Sequence, residues 1–215
     1  MISRLHYLTQ DLPDFSHSQL AEFACKGGAD WIQLRVKNKS HKEWLKIAQE
    51  TKHVCLKYGA KLIINDNVQI AKEISADGVH LGKEDMNPKE ARKILGNNFI
   101  IGGSTNNMED VIRQIADGCD YIGVGPFRFT STKEKLNPVL GLEGIKKIAE
   151  QFRKQIPMIA IGGIKLEDLE PLMETGIHGV AVSSAINISE NKIEATKKFK
   201  HELARINSNS FVTNP

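Results

Sequence analysis

The chain has 215 residues, 40% of them hydrophobic, enough to bury one sizeable core, so one domain is expected. Its 29 basic and 26 acidic side chains leave a formal net charge of +3. They are scattered rather than blocked, which excludes an extended basic face for nucleic acid while leaving single basic residues able to bind phosphate.

In chain order, the opening MISRLHYLTQD has no apolar stretch of signal-peptide length, and nowhere do about 18 uncharged apolar residues run together. A soluble protein with no membrane contact is expected. Short apolar runs then alternate with longer amphipathic segments, the pattern of β-α repeats around a parallel sheet. Eight strands are predicted, near Leu5 to Leu8, Trp31 to Arg35, Lys61 to Ile64, Gly78 to Leu81, Phe99 to Gly102, Tyr121 to Val124, Met158 to Ile161 and Gly179 to Val182. Helical stretches follow each of them; Trp44, Leu45, Ile47 and Ala48 have helical spacing and read as outer-ring packing. The hexamers ADWIQL at 29, ADGVHL at 76, CDYIGV at 119 and IHGVAV at 177 share one shape and fall on strands two, four, six and eight. That suits a closed barrel, whose alternate strands fill the same interior layers. The plainer reading is that any buried parallel strand after a helix-ending glycine looks this way. The expected fold is a single (β/α)8 TIM barrel over residues 1–205. The polar tail 206–215 lacks periodicity and is expected to be disordered.

The polar and glycine-rich oddities fall at the carboxyl ends of these strands, where barrel enzymes build their sites. Alternation after strand two points Gln33, Arg35 and Lys37 to one side, spaced to grip an anion; an ordinary solvated basic loop is the competing reading. Strand three runs into Asn65 and Asp66, and strand four into Gly82, Lys83, Glu84 and Asp85. Asp66 and Asp85 suit a shared Mg²⁺, a hard cation that takes one or two carboxylates and completes its shell with water and substrate phosphate. Alternatively, each caps a helix, Asp66 the one near Asn67 and Asp85 the one near Pro88. Strand five leads into Gly102-Gly103-Ser104, strand seven into Gly162-Gly163 and strand eight into Ser183-Ser184, each before a helix start, the last two expected to form a phosphate site from backbone N–H groups. The connection 126–139 is longer than βα loops usually are, a mark of a lid or of disorder. His80 lacks a partner at ligand spacing and reads as a satisfied residue of the barrel interior.

The series QLRVK at 33, IIND at 63, DGVHLGKEDM at 77, YIGVGPFRFTSTK at 121, LGLEGI at 140, IAIGGI at 159 and VAVSSAI at 180 resembles the thiamine-phosphate synthase family, from about Leu5 to Ile186. The resemblance implies a transferase that joins hydroxymethylpyrimidine diphosphate to thiazole phosphate, giving thiamin phosphate and diphosphate, with carbon dioxide lost when the thiazole is carboxylated. By similarity, Gln33, Arg35, Lys37 and Asn65 hold the diphosphate and Asp66 and Asp85 the Mg²⁺. Lys133 reaches in from the long loop, and Ser104 contacts the pyrimidine or the departing diphosphate. Thr130 and Thr132 meet the thiazole, and Gly163, Ser183 and Ser184 its phosphate. Val36 and Lys83 stand where the family often has Glu and Gln, and Gly103 and Thr105 flank Ser104 where other residues are common.

Three rivals share the barrel, one of them some other phosphosugar isomerase, which would need only the phosphate site of the loops after strands seven and eight. A thiazole tautomerase, the nearest relative, needs no diphosphate set, although His80 or His178 suits acid-base work. A non-catalytic phosphate-ligand-binding barrel would be expected to have lost Asp66, Asp85 or Lys133, and none is lost. Cys25, Cys55 and Cys119 are odd in number, widely spaced and without a CxxC pair, which argues against disulfides and structural zinc and for the cytoplasm. Nothing in the sequence fixes the oligomeric state, and a homo-oligomer is compatible with it.

Overall fold

A computed structural model describes residues 1–129 and 138–212. The strands are β1 (Leu5–Leu8), β2 (Trp31–Leu34), β3 (Lys61–Asn65), β4 (Gly78–Leu81), β5 (Ile100–Thr105), β6 (Tyr121–Val124), β7 (Met158–Ile161) and β8 (Gly179–Val182). All pair in parallel, in sequence order, and β8 returns to β1 with Leu5 opposite Val180, which closes the barrel. The outer ring comprises α1 (His17–Lys26), α2 (His41–Tyr58), α3 (Val68–Glu73), α4 (Pro88–Leu95), α5 (Met108–Ala116), α6 (Gly141–Phe152), α7 (Leu169–Glu174), α8 (Ser184–Asn187) and α9 (Lys192–Val212). Among the described residues no helix is long and apolar enough to cross a membrane.

Local chemistry places the helix starts. Ser16 with Gln19, and Ser40 with Glu43, form reciprocal capping boxes that satisfy orphan N–H groups at the starts of α1 and α2. Asn67, Asn87 and Asn107 cap α3, α4 and α5 through their side-chain oxygens. The capping alternative for Asp66 and Asp85 is thereby corrected: each cap belongs to an asparagine beyond the aspartate. Trp44 and Ala48 are buried in the large apolar layer between barrel and helices, as their spacing predicts. At the carboxyl end, α9 buries Phe199, Leu203 and Ile206 and continues to Val212, into the segment read as a polar tail. Extending a helix already fixed by packing costs little.

The even-strand hexamers occupy the layers that their shared shape implies. Trp31 of β2 and Tyr121 of β6, both third in their hexamers, meet edge to face at 5.5 Å inside the barrel, and His6 stacks on Trp31 at 4.3 Å. Burial, and then the neighbouring His80, hold the His6 imidazole well below its ordinary pKa. The rings need a gap in the wall. A Cβ on Gly102 would lie 2.2 Å from Tyr121 Cζ. β5 runs past its expected end at Gly102, through Gly103 and Ser104 to Thr105.

Candidate functional site

Where the strands end, eight side-chain positions point inward and form the floor of a cavity of about 510 Å³. They are register partners: Leu8 opposite Gln33, Asn65 opposite His80, Ser104 opposite Gly123, and Ile161 opposite Ala181. Partners across a parallel pair face the same way, so pairing alone builds the ring. Gln33, Asn65, His80 and Ser104, from β2 to β5, make one arc polar. Gly123, Ile161, Ala181 and Leu8, from β6, β7, β8 and β1, make the other apolar, with Gly123 and Ala181 leaving space.

The polar arc is internally bonded. His80 Nε2 lies 3.0 Å from Ser104 Oγ and His80 Nδ1 3.1 Å from the Tyr121 hydroxyl, which the Gln33 side chain also reaches. Burial drives the Tyr121 pKa far upward, so the hydroxyl keeps its proton. With Gln33 donating to Tyr121 and Tyr121 to His80 Nδ1, the tautomer we assign, the imidazole proton sits on Nε2 and donates to Ser104. The Ser104 proton is then available to an acceptor in the cavity. Arg35 follows β2; its N–H donates to Thr9 Oγ1 at 3.1 Å, and Thr9 is backed by His17 Nδ1 at 2.8 Å.

The next two strand ends carry the carboxylates. Asp66 takes a left-handed backbone (φ 64°), with its N–H on the His80 carbonyl at 2.8 Å. Asp85 Oδ2 accepts from Gly82 N at 2.6 Å, which closes the turn after β4. Lys83 in that turn contacts Asp110.

The apolar arc presents backbone. Gly162 and Gly163 have φ of 110° and 63°, and a Cβ on Gly163 would lie 2.6 Å from Arg128 Cγ. Arg128 forks onto Asp168 at 2.6 and 2.7 Å and also donates to the Gly163 carbonyl at 3.0 Å, which binds the start of the β6–α6 connection to the loop after β7. Ser183 Oγ donates to the Leu8 carbonyl at 3.2 Å, and α8 begins at Ser184 with no side-chain cap on its first N–H groups. An anion can accept from such N–H groups.

Of the sequence-predicted residues, Gln33, Arg35, Asn65, Ser104, Gly163, Ser183 and Ser184 line this one cavity. Lys37, Asp66 and Asp85 belong to the same strand-end loops but are not among its lining residues. Thr130, Thr132 and Lys133 lie outside the described residues. His178, offered above as an acid-base residue, is held by the Ile2 carbonyl at 2.9 Å and lines a separate cavity with Arg4 and Arg153. Its place precedes β8, at the end of the barrel away from this site. Sequence reasoning missed Tyr121, whose hexamer position reads as apolar filler, and Arg128. His80, read as a satisfied residue of the barrel interior, is buried and bonded through both ring nitrogens, and it also forms part of the cavity floor. The unusual neighbours of Ser104 have packing roles: a Cβ on Gly103 would meet Gln114 Oε1 at 2.3 Å, and Thr105 Oγ1 donates to the Gly123 carbonyl at 3.0 Å.

Known proteins bear on this geometry. A family model described as thiamine monophosphate synthase matches residues 7–186. The chain is 49% identical to the thiamine-phosphate synthase of Flavobacterium johnsoniae, over 89% of this chain and 92% of that protein. It is 47% identical to that of Bacteroides fragilis, over 90% and 97%. Among solved structures it resembles a thiamine phosphate pyrophosphorylase from Pyrococcus furiosus, with a TM-score of 0.85 and 32% identity over 94% of this chain and 96% of the other.

Proposed function

The chain belongs to the thiamine monophosphate synthase family, and on that premise we propose that its mouth cavity joins a pyrimidine diphosphate to a thiazole phosphate. The products are thiamin phosphate and diphosphate. The observation that carries this reading is the division of one cavity of about 510 Å³ into a polar arc beside Arg35 and an apolar arc of exposed backbone. Two substrates that each carry an anion need such a site, with the reacting rings between the anions.

In this reading Gln33, Arg35, Lys37 and Asn65 hold the diphosphate, and Lys133 reaches its leaving oxygens. Thr130 and Thr132 meet the thiazole, and Gly163, Ser183 and Ser184 bind its phosphate. Ser104, already accepting from His80, gives its proton to a pyrimidine nitrogen or to the departing diphosphate. The pyrimidine CH₂–O bond breaks, the ring amino group stabilises the benzyl-like cation, and the thiazole nitrogen attacks it. A carboxylated thiazole loses carbon dioxide after coupling. No protein nucleophile is required; side chains that take up charge on the leaving oxygens and hold the second ring in line supply the rate.

Asp66 and Asp85 would hold Mg²⁺. They lie in the loops after the adjacent strands β3 and β4, and two carboxylates suit a cation that takes the rest of its shell from water and phosphate. When bound, the cation would neutralise diphosphate charge. The cysteines are free, and a reducing cytoplasm suits them.

The test is diphosphate release by purified protein given the pyrimidine diphosphate, with the thiazole phosphate carboxylated or not and Mg²⁺ present or chelated. Release that depends on Mg²⁺ and is matched by thiamin phosphate is expected. Absence of turnover with both thiazoles overturns the reading.

A further inference from the structure

We propose that Asn106 is a positioning residue that holds both ends of the long β6–α6 connection, and that the Asp110–Lys83 pair ties this hold to the turn carrying Asp85. Its catalytic consequence rests on the function proposed above; the hold itself does not.

Asn106 follows β5 and is 7% exposed. Its Nδ2 donates to the Gly125 carbonyl at 2.8 Å and to the Pro138 carbonyl at 2.9 Å. Both partners are acceptors, so only the amide nitrogen, with its two protons, can make both bonds. Gly125 lies where the chain leaves β6, and Pro138 where it returns ahead of α6. Backbone bonds close the same pair of strands of chain: Leu140 N donates to the Pro126 carbonyl at 2.9 Å and Gly141 N to the Phe127 carbonyl at 3.1 Å.

Asn106 is itself fixed. Its backbone N–H donates to Asp110 Oδ2 at 3.0 Å, and Asp110 is 5% exposed. A carboxylate that deep needs charge partners. Arg113 reaches Asp110 Oδ1 at 2.8 Å, and Lys83 contacts Oδ2. Lys83 sits in the turn that Gly82 N and Asp85 Oδ2 close. The ends of β4, β5 and β6 are thus joined through one buried carboxylate. Asn106, Asp110 and Lys83 do not line the cavity, so their influence on reaction runs through the loops they hold.

N106D keeps the shape of the side chain, removes both donors and turns a carboxyl toward two carbonyls. If the hold positions the connection, kcat falls at least about thirtyfold while KM for the pyrimidine diphosphate stays within about threefold. Amide hydrogen exchange at Leu140 and Gly141 speeds at least about tenfold. N106A behaves alike. Wild-type kcat and exchange in N106D overturn the hold, because a space-filling Asn106 tolerates its isostere. K83Q, at a side chain on the edge of solvent, carries the test if circular dichroism shows N106D and N106A unfolded. Faster exchange at Leu140 and Gly141 with kcat down about threefold supports the tie, and unchanged values in K83Q overturn it. Should the wild-type protein make no thiamin phosphate, the functional reading fails, and the exchange measurement still decides the hold.

Discussion

The two arcs of the barrel mouth come from the same repeat and differ in what their side chains leave accessible. In the arc from β2 to β5, Gln33, Asn65, His80 and Ser104 project functional groups, and Arg35 continues the row above them. In the arc from β6 to β1, Gly123, Ala181 and the left-handed Gly162 and Gly163 withdraw side chains and expose backbone. One arc offers side chains to a ligand, the other backbone left open by their absence. The first is therefore damaged by truncating a residue and the second by adding atoms to one.

The largest effect is expected on the polar arc. Arg35→Ala removes a planar donor set suited to phosphate oxygens, and kcat/KM for the pyrimidine diphosphate should fall about a hundredfold or more. Calorimetric binding of the thiazole phosphate should change by less than about twofold, since its proposed contacts lie on the other arc. Equal weakening of both substrates would show that the arcs do not divide the anions.

The division was partly legible in the sequence. The hexamers at 29, 76, 119 and 177 announced a barrel, because interior layers demand that third and fifth positions match the space left by neighbouring strands. They also carried the floor itself, in the fifth-position residues Gln33, His80, Gly123 and Ala181. What the sequence hid were contacts set by long-range packing. The need for a glycine at 102 shows only when the Tyr121 ring is placed against it. Arg128 looks like a surface arginine until the loop after β7 brings Asp168 to it, 40 residues further along the chain. The asparagine caps of α3 and α4 were a local matter and should have been seen: Asn67 and Asn87 each stand immediately before the helix they cap.

A smaller effect is expected from the other arc, with the opposite kind of change. Gly163→Ala adds a methyl at φ 63° and sets it 2.6 Å from Arg128 Cγ, so either the backbone or the Arg128–Asp168 fork must shift. KM for the thiazole phosphate should rise about tenfold, equivalent to about 1.4 kcal/mol of binding, with the affinity for pyrimidine diphosphate held. A rise confined to the pyrimidine substrate would assign this loop to the wrong anion.

Tyr121→Phe gives the smallest effect and reads the seam between floor and core. The ring stays packed on Trp31 and His6, so little apolar contact is lost. What goes is the hydroxyl bonded to His80 Nδ1, and an unpartnered buried group costs about 1 to 3 kcal/mol. At this chain length each kcal/mol lowers Tm by about 2–4 °C. The catalytic consequence follows from proton direction. Without Tyr121 as donor, His80 is no longer obliged to carry its proton on Nε2, and Ser104 loses the bond that frees its own proton for the cavity. An about threefold fall in kcat with pyrimidine-side KM altered and thiazole-side KM unchanged is the expected split. A lower Tm with every kinetic constant intact would make the Gln33–Tyr121–His80–Ser104 chain a device of stability alone, and the polar arc would then act through Arg35 and its neighbours without it.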